Sequence, residues 1–190
     1  MTVETQTMPA SRGLLSPWLR WGLLALIQLG LIAIPLVDRL QVQSSGTLVP
    51  LAVIPVDPRD LLRGDYVIIN LAITRIPVDL PGSDGLETGD KVFVELAGQD
   101  GGAAEPVAIS RDRTKVGTPA IAGTVRFATA EEIRVDYGID AFFLPEGEGL
   151  EIERMDKDRL LLEVSVTEDG RSLPVNLLVD GKVVRSDAIF

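Results

Sequence analysis

"LLRGDYVIINL", residues 61–71, and "LETGDKVFVEL", residues 86–96, each set a Gly-Asp pair in front of an alternating apolar run, 25 positions apart. A glycine supplies the permissive backbone of a tight turn, and an aspartate beside it accepts hydrogen bonds from the turn's own amides. Each pair therefore launches a strand. With a side-chain period of two, Val67, Ile69 and Leu71 share one face of the first strand, and Val92, Val94 and Leu96 share the matching face of the second. Both strands thus offer an aliphatic row to a common core. Tyr66, Ile68 and Asn70 face the other way in the first, and Lys91, Phe93 and Glu95 in the second. Alternation leaves open whether strands 64–74 and 91–97 pair directly, because it fixes faces and not strand order.

The same period governs the C-terminal part. In "LLLEVSVT", residues 160–167, Leu160, Leu162, Val164 and Val166 share a face; in "LPVNLLVD", Val175, Leu177 and Val179 do so. Asp180-Gly181 then turns into "KVVRS", so residues 159–186 read as a three-stranded meander with turns at "EDG" and "DG". Upstream, Pro50, Pro55 and Pro58 in and beside "LVPLAVIPVD" exclude a long helix and predict an edge strand or an extended lead-in. Asp57 and Pro58 suit the cap and first position of one helical turn, and "GLEIERMDKDRL", residues 149–160, predicts a short helix over its first residues. The expected fold is mainly β, a barrel or sandwich-like domain with one or two short helices.

Ahead of this domain, "WLRWGLLALIQLGLIAIPLV", residues 18–37, carries one charge, Arg20, at its edge. Twenty residues at about 1.5 Å rise span roughly 30 Å, the thickness of a hydrocarbon core. The run is long for a signal peptide and no small-residue cleavage site follows it, which predicts a retained signal-anchor. Arg12 and Arg20 before the span, against Arg39 after it, predict a cytoplasmic tail over residues 1–17 and a translocated body. The expected division is this tail, a transmembrane helix at 18–37, a linker at 38–49 and an extracytoplasmic β-rich domain at 50–190.

Composition narrows the chemistry. The 190 residues include no cysteine and no histidine, which excludes disulfides, thiol nucleophiles and imidazole as base or metal ligand. Beyond residue 37 the chain holds 16 basic and 27 acidic side chains, a net charge of −11, and no basic cluster with interleaved aromatics. Nucleic acid is not an expected partner. No cofactor is expected and no metal site is read from the acidic residues.

"PVDPRDLLRGDYVIINLAI" followed by "YGIDAFFLPEGEGLEIE" resembles the GDYXXLXY family of bacterial membrane-anchored proteins, over roughly residues 20–186. The match is firm at Gly64, Asp65 and Tyr66, and at Tyr137, Gly138, Ile139, Phe143, Pro145, Glu146 and Gly147. Ile69 stands where the name-giving pattern has Leu, and Leu71 replaces its final Tyr. The resemblance implies a membrane helix followed by a β-rich domain outside the cytoplasm, here the periplasmic side of a bacterial inner membrane crossed once. It carries no biochemical activity with it. Members are often encoded beside polytopic membrane proteins, which implies such a protein as partner in addition to the bilayer around residues 18–37.

Two functions follow. The preferred one is a non-enzymatic interaction module, with Gly64, Asp65, Tyr66, Tyr137, Gly138, Glu146 and Gly147 as binding or structural motif. The alternative is a membrane-bound hydrolase of the signal-peptidase type, pairing Ser44 or Ser45 with Lys91 or Lys115 as base, which requires a buried lysine of depressed pKa beside the hydroxyl.

Overall fold

The computed structural model describes residues 16–55, 66–98, 102–139, 141–143 and 160–186. Met1–Asp38 and Arg39–Phe190 form two compact units.

Helix α1 (Pro17–Ser45), whose residues to Asp38 belong to the first unit and the rest to the second, begins at Pro17, where a missing N–H costs nothing, and contains Pro35. Its apolar residues, from Trp18 to Val37, are all exposed, and the helix is long and apolar enough to cross a membrane. The helix does not stop where the apolar run stops. The expected linker at 38–49 is helical to Ser45 and then strand, with Gly46 alone between them. Val42 is buried, and the Ser165 hydroxyl, itself fully buried, donates to the Val42 carbonyl at 2.6 Å. Polarity suggested a loop; a helix C-terminus packed on a sheet satisfies the same residues.

The second unit contains two antiparallel sheets among the described residues. The strands are β1 (Thr47–Pro55), β2 (Tyr66–Leu71), β3 (Arg75–Ile76), β4 (Lys91–Ala97), β5 (Glu105–Ser110), β6 (Ala120–Ala128), β7 (Ile133–Asp136), β8 (Ala141–Phe143), β9 (Leu160–Val166), β10 (Ser172–Val179) and β11 (Lys182–Ser186). One sheet has the order β11-β10-β9-β1-β2-β8, the other β3-β7-β6-β4-β5. The meander of β9, β10 and β11 forms as its turn residues predict, with Asp180 and Gly181 at φ of 51° and 72°.

The two Gly-Asp strands do not pair: β2 belongs to the first sheet and β4 to the second. They do share a core. Leu71 lies in one buried cluster with Val92, Val94 and Leu96, joined by Leu51, Ile121, Leu162 and Val164 from both sheets. The second Gly-Asp turn has the predicted chemistry. Gly89 sits at φ 94°, and Asp90 Oδ2 accepts from Glu87 N at 2.8 Å and from Arg111 Nε at 2.9 Å. Gly64 and Asp65 lie outside the described residues, as do the helical turns expected at 57–58 and over 149–159.

Strand β1 is a correction, since it lies inside its sheet rather than at an edge. Thr47–Ala52 pair with β9 and Val53–Pro55 with β2, so the strand changes partner halfway. Amide and carbonyl of one residue point to the same side of a strand, and the Pro50 carbonyl turns away from β9 to accept from Ala104 N at 2.7 Å. The missing proline N–H thus falls on the side where no strand needs it.

Candidate functional site

The chain passes between the sheets twice at one place. After β2 a single 3-10 turn, η1 (Ala72–Thr74), carries it from the first sheet into β3 of the second. After β7 of the second sheet the next strand in the chain is β8, which belongs to the first. The two passages run antiparallel: Tyr66, Val67 and Ile68 pair with Phe143, Phe142 and Ala141 in one sheet, and Arg75 and Ile76 with Arg134 and Ile133 in the other. A two-stranded ribbon therefore folds over a corner, and the described motif residues Tyr66, Tyr137, Gly138, Ile139 and Phe143 lie on it.

Tyr137 fastens the corner. Its ring is buried, and its hydroxyl donates to the Ile73 carbonyl at 2.8 Å, a group that the 3-10 turn leaves without a strand partner. Burial pushes the phenol pKa up, so the side chain stays a neutral donor. Gly138 follows in the left-handed region at φ 68°, and its N–H turns back to Asp136 Oδ1 at 2.9 Å. That bond, together with Arg126, holds the Asp136 carboxyl below the usual range.

Beside the corner lies a cleft of about 160 Å³ lined by Ile54, Asn70, Thr74, Arg75, Arg126, Arg134, Val135 and Asp136. A bulge between Val125 and Phe127 leaves Arg126 without a partner residue on β7 and re-aims it. Its guanidinium meets Asp136 Oδ2 at 2.6 and 2.9 Å. Arg134 binds Glu132 Oε1 at 3.0 and 3.2 Å and stacks over Phe127, 5.3 Å from the ring centroid. Arg75 reaches the same Glu132 oxygen only at 3.9 Å.

Of the motif residues, Tyr66, Tyr137 and Gly138 share the ribbon, while Glu146 and Gly147, like Gly64 and Asp65, lie outside the described residues. The three arginines were not singled out by sequence; their signal was weak, cations interrupting strands of an acidic body. The hydrolase pair is not assembled. Ser44 and Ser45 donate to Gln41 O within their own helix at 3.3 and 2.7 Å, whereas Lys91 and Lys115 are exposed on or beside the second sheet. Among the described residues no cluster of acidic side chains has the arrangement of a metal site.

The chain matches no curated protein and no solved structure. Residues 28–177 match the family model described as GDYXXLXY protein, from the apolar helix through the corner ribbon to β10, and the chain belongs to that family.

Proposed function

We propose that this protein is a single-pass, membrane-anchored β domain, held on the periplasmic side of a bacterial inner membrane, that serves as an interaction module for a membrane or envelope partner. The carrying observation is α1: its apolar side chains from Trp18 to Val37 stay exposed, an arrangement that water penalises and hydrocarbon accommodates. Retention rather than cleavage is supported by the far end of the helix, where Val42 is buried under the Ser165 hydroxyl and the backbone enters β1 after one residue. The arginines flanking the span support the orientation.

The test is alkaline carbonate extraction of native membranes, followed by crosslinking and mass spectrometry. The full-length chain is expected in the pellet, crosslinked reproducibly to a polytopic protein. Release into the supernatant, or a mature N-terminus beyond Val37, would refute the anchor; recovery of the protein alone would refute the partner.

A further inference from the structure

We infer that the corner cleft binds a phosphate group through Arg75, Arg126 and Arg134, with Thr74 and Asn70 at its edge. Arg75 and Arg134 are directly opposed across β3 and β7, a like-charge pairing that costs stability unless an anion lies between them. Glu132 answers that need in part, because it hydrogen-bonds Arg134 and stands at 3.9 Å from Arg75. Among the described residues, three guanidinium groups and the Asp136 carboxylate line the cleft, and Glu132 pairs with two of the three from beside it, in a protein whose net charge is −10. Counted over the described residues, three cations there meet two carboxylates, an excess of positive charge in an acidic chain.

The geometry selects the ligand. A carboxylate presents two oxygens in one plane, as Asp136 does to the Arg126 fork, whereas the tetrahedral oxygens of phosphate can engage forks arriving from three strands. One such group fits within the cleft's volume of about 160 Å³. Free phosphate and the headgroup of an anionic phospholipid share this chemistry. The inference concerns the β domain alone and does not depend on the identity of any protein partner.

The experiment uses the full chain in maltoside micelles, which contain no phosphate. Amide and arginine Nε–H signals are followed by NMR during titration with sodium phosphate, against sodium chloride at equal ionic strength. Parallel micelles are doped with phosphatidylglycerol or with diacylglycerol. Saturable shifts at Asn70, Thr74 and Arg126 are expected with phosphate or with phosphatidylglycerol, and which probe produces them names the source. Arg75→Gln and Arg126→Gln should each weaken binding about tenfold, while Arg111→Gln, remote from the cleft, leaves it unchanged. Arg75 has a single long ion-pair contact, so Arg75→Gln keeps the fold and decides the matter if Arg126→Gln unfolds. Shifts no larger than with chloride and diacylglycerol, or binding that survives Arg75→Gln, would overturn the assignment.

Discussion

Replacing Tyr137 by Phe removes one oxygen atom from the corner and keeps the ring. The hydroxyl donates to Ile73 O at 2.8 Å, and Ile73 is only 1% exposed, so water does not replace the lost donor. An orphaned buried carbonyl costs about 1–3 kcal/mol, which for a chain of this size lowers the melting temperature by roughly 2–12 °C. Tyr137→Ala also loses the ring and should cost about 3–5 kcal/mol. The phenol gives a second signature. Its folded pKa lies above the ordinary value of 10.0, so the neutral form stabilises the fold below that pH. Above it the unfolded chain releases a proton that the folded chain keeps, and stability falls by up to about 1.4 kcal/mol per pH unit. Urea denaturation of the full chain in maltoside, followed by far-UV circular dichroism at neutral and alkaline pH, measures both effects. Tyr137→Phe should be less stable at pH 7 and should lose that part of the alkaline slope. A variant as stable as the parent, with the slope intact, would refute the role given to this hydroxyl.

Two glycines of the same region should fail for different reasons. A Cβ on Gly123 would stand 2.5 Å from Val135 Cγ1 and 2.9 Å from Asp136 O, so Gly123→Ala should cost about 1–3 kcal/mol by overpacking; Gly138 has open space but φ 68°, so Gly138→Ala should cost about 1–2 kcal/mol by backbone strain, with Gly138→Asn milder in the same melts. At the end of α1, a Cβ on Gly46 would lie 2.0 Å from Ser165 Oγ and 2.8 Å from Val42 O. Gly46→Ala should therefore destabilise more than Ser165→Ala, for which about 0.5–1.5 kcal/mol is expected, since the Val42 carbonyl keeps its bond from Gly46 N. In acid, Asp90 is held below its unfolded value of 3.8 chiefly by Arg111, and Asp136 chiefly by Gly138 N. Their stabilisation is present above 3.8 and lost as pH falls through the lower folded values, so a pH series of urea midpoints should decline less steeply below 3.8 in Asp90→Asn and Asp136→Asn than in the parent.

The legible features were those written in neighbouring residues. The alternation of Leu160, Leu162, Val164 and Val166 appears as a strand with all four buried, and Asp180-Gly181 makes its turn. Gly89 and Asp90 form the predicted turn, and the apolar run from Trp18 is a helix. The polar stretch at 38–49 was misleading, because polarity reports contact with solvent on one side and not the absence of structure. Pro50 was misleading because a proline argues against a central strand only if its missing N–H faces a neighbour. Tyr137 and Gly138 stood out by resemblance, but what the tyrosine does depends on Ile73, 64 residues away.

By itself the sequence determined the apolar rod, the faces of the strands and the chemistry denied to a chain lacking thiol and imidazole, because hydropathy, side-chain period and turn stereochemistry act within a few residues. Tertiary structure alone decided that the two Gly-Asp strands join different sheets, that β2 meets β8, and that Arg75 and Arg134 oppose each other. Those pairings join segments far apart in the chain, where many registers satisfy the same alternation and only packing of both sheets on one core selects among them.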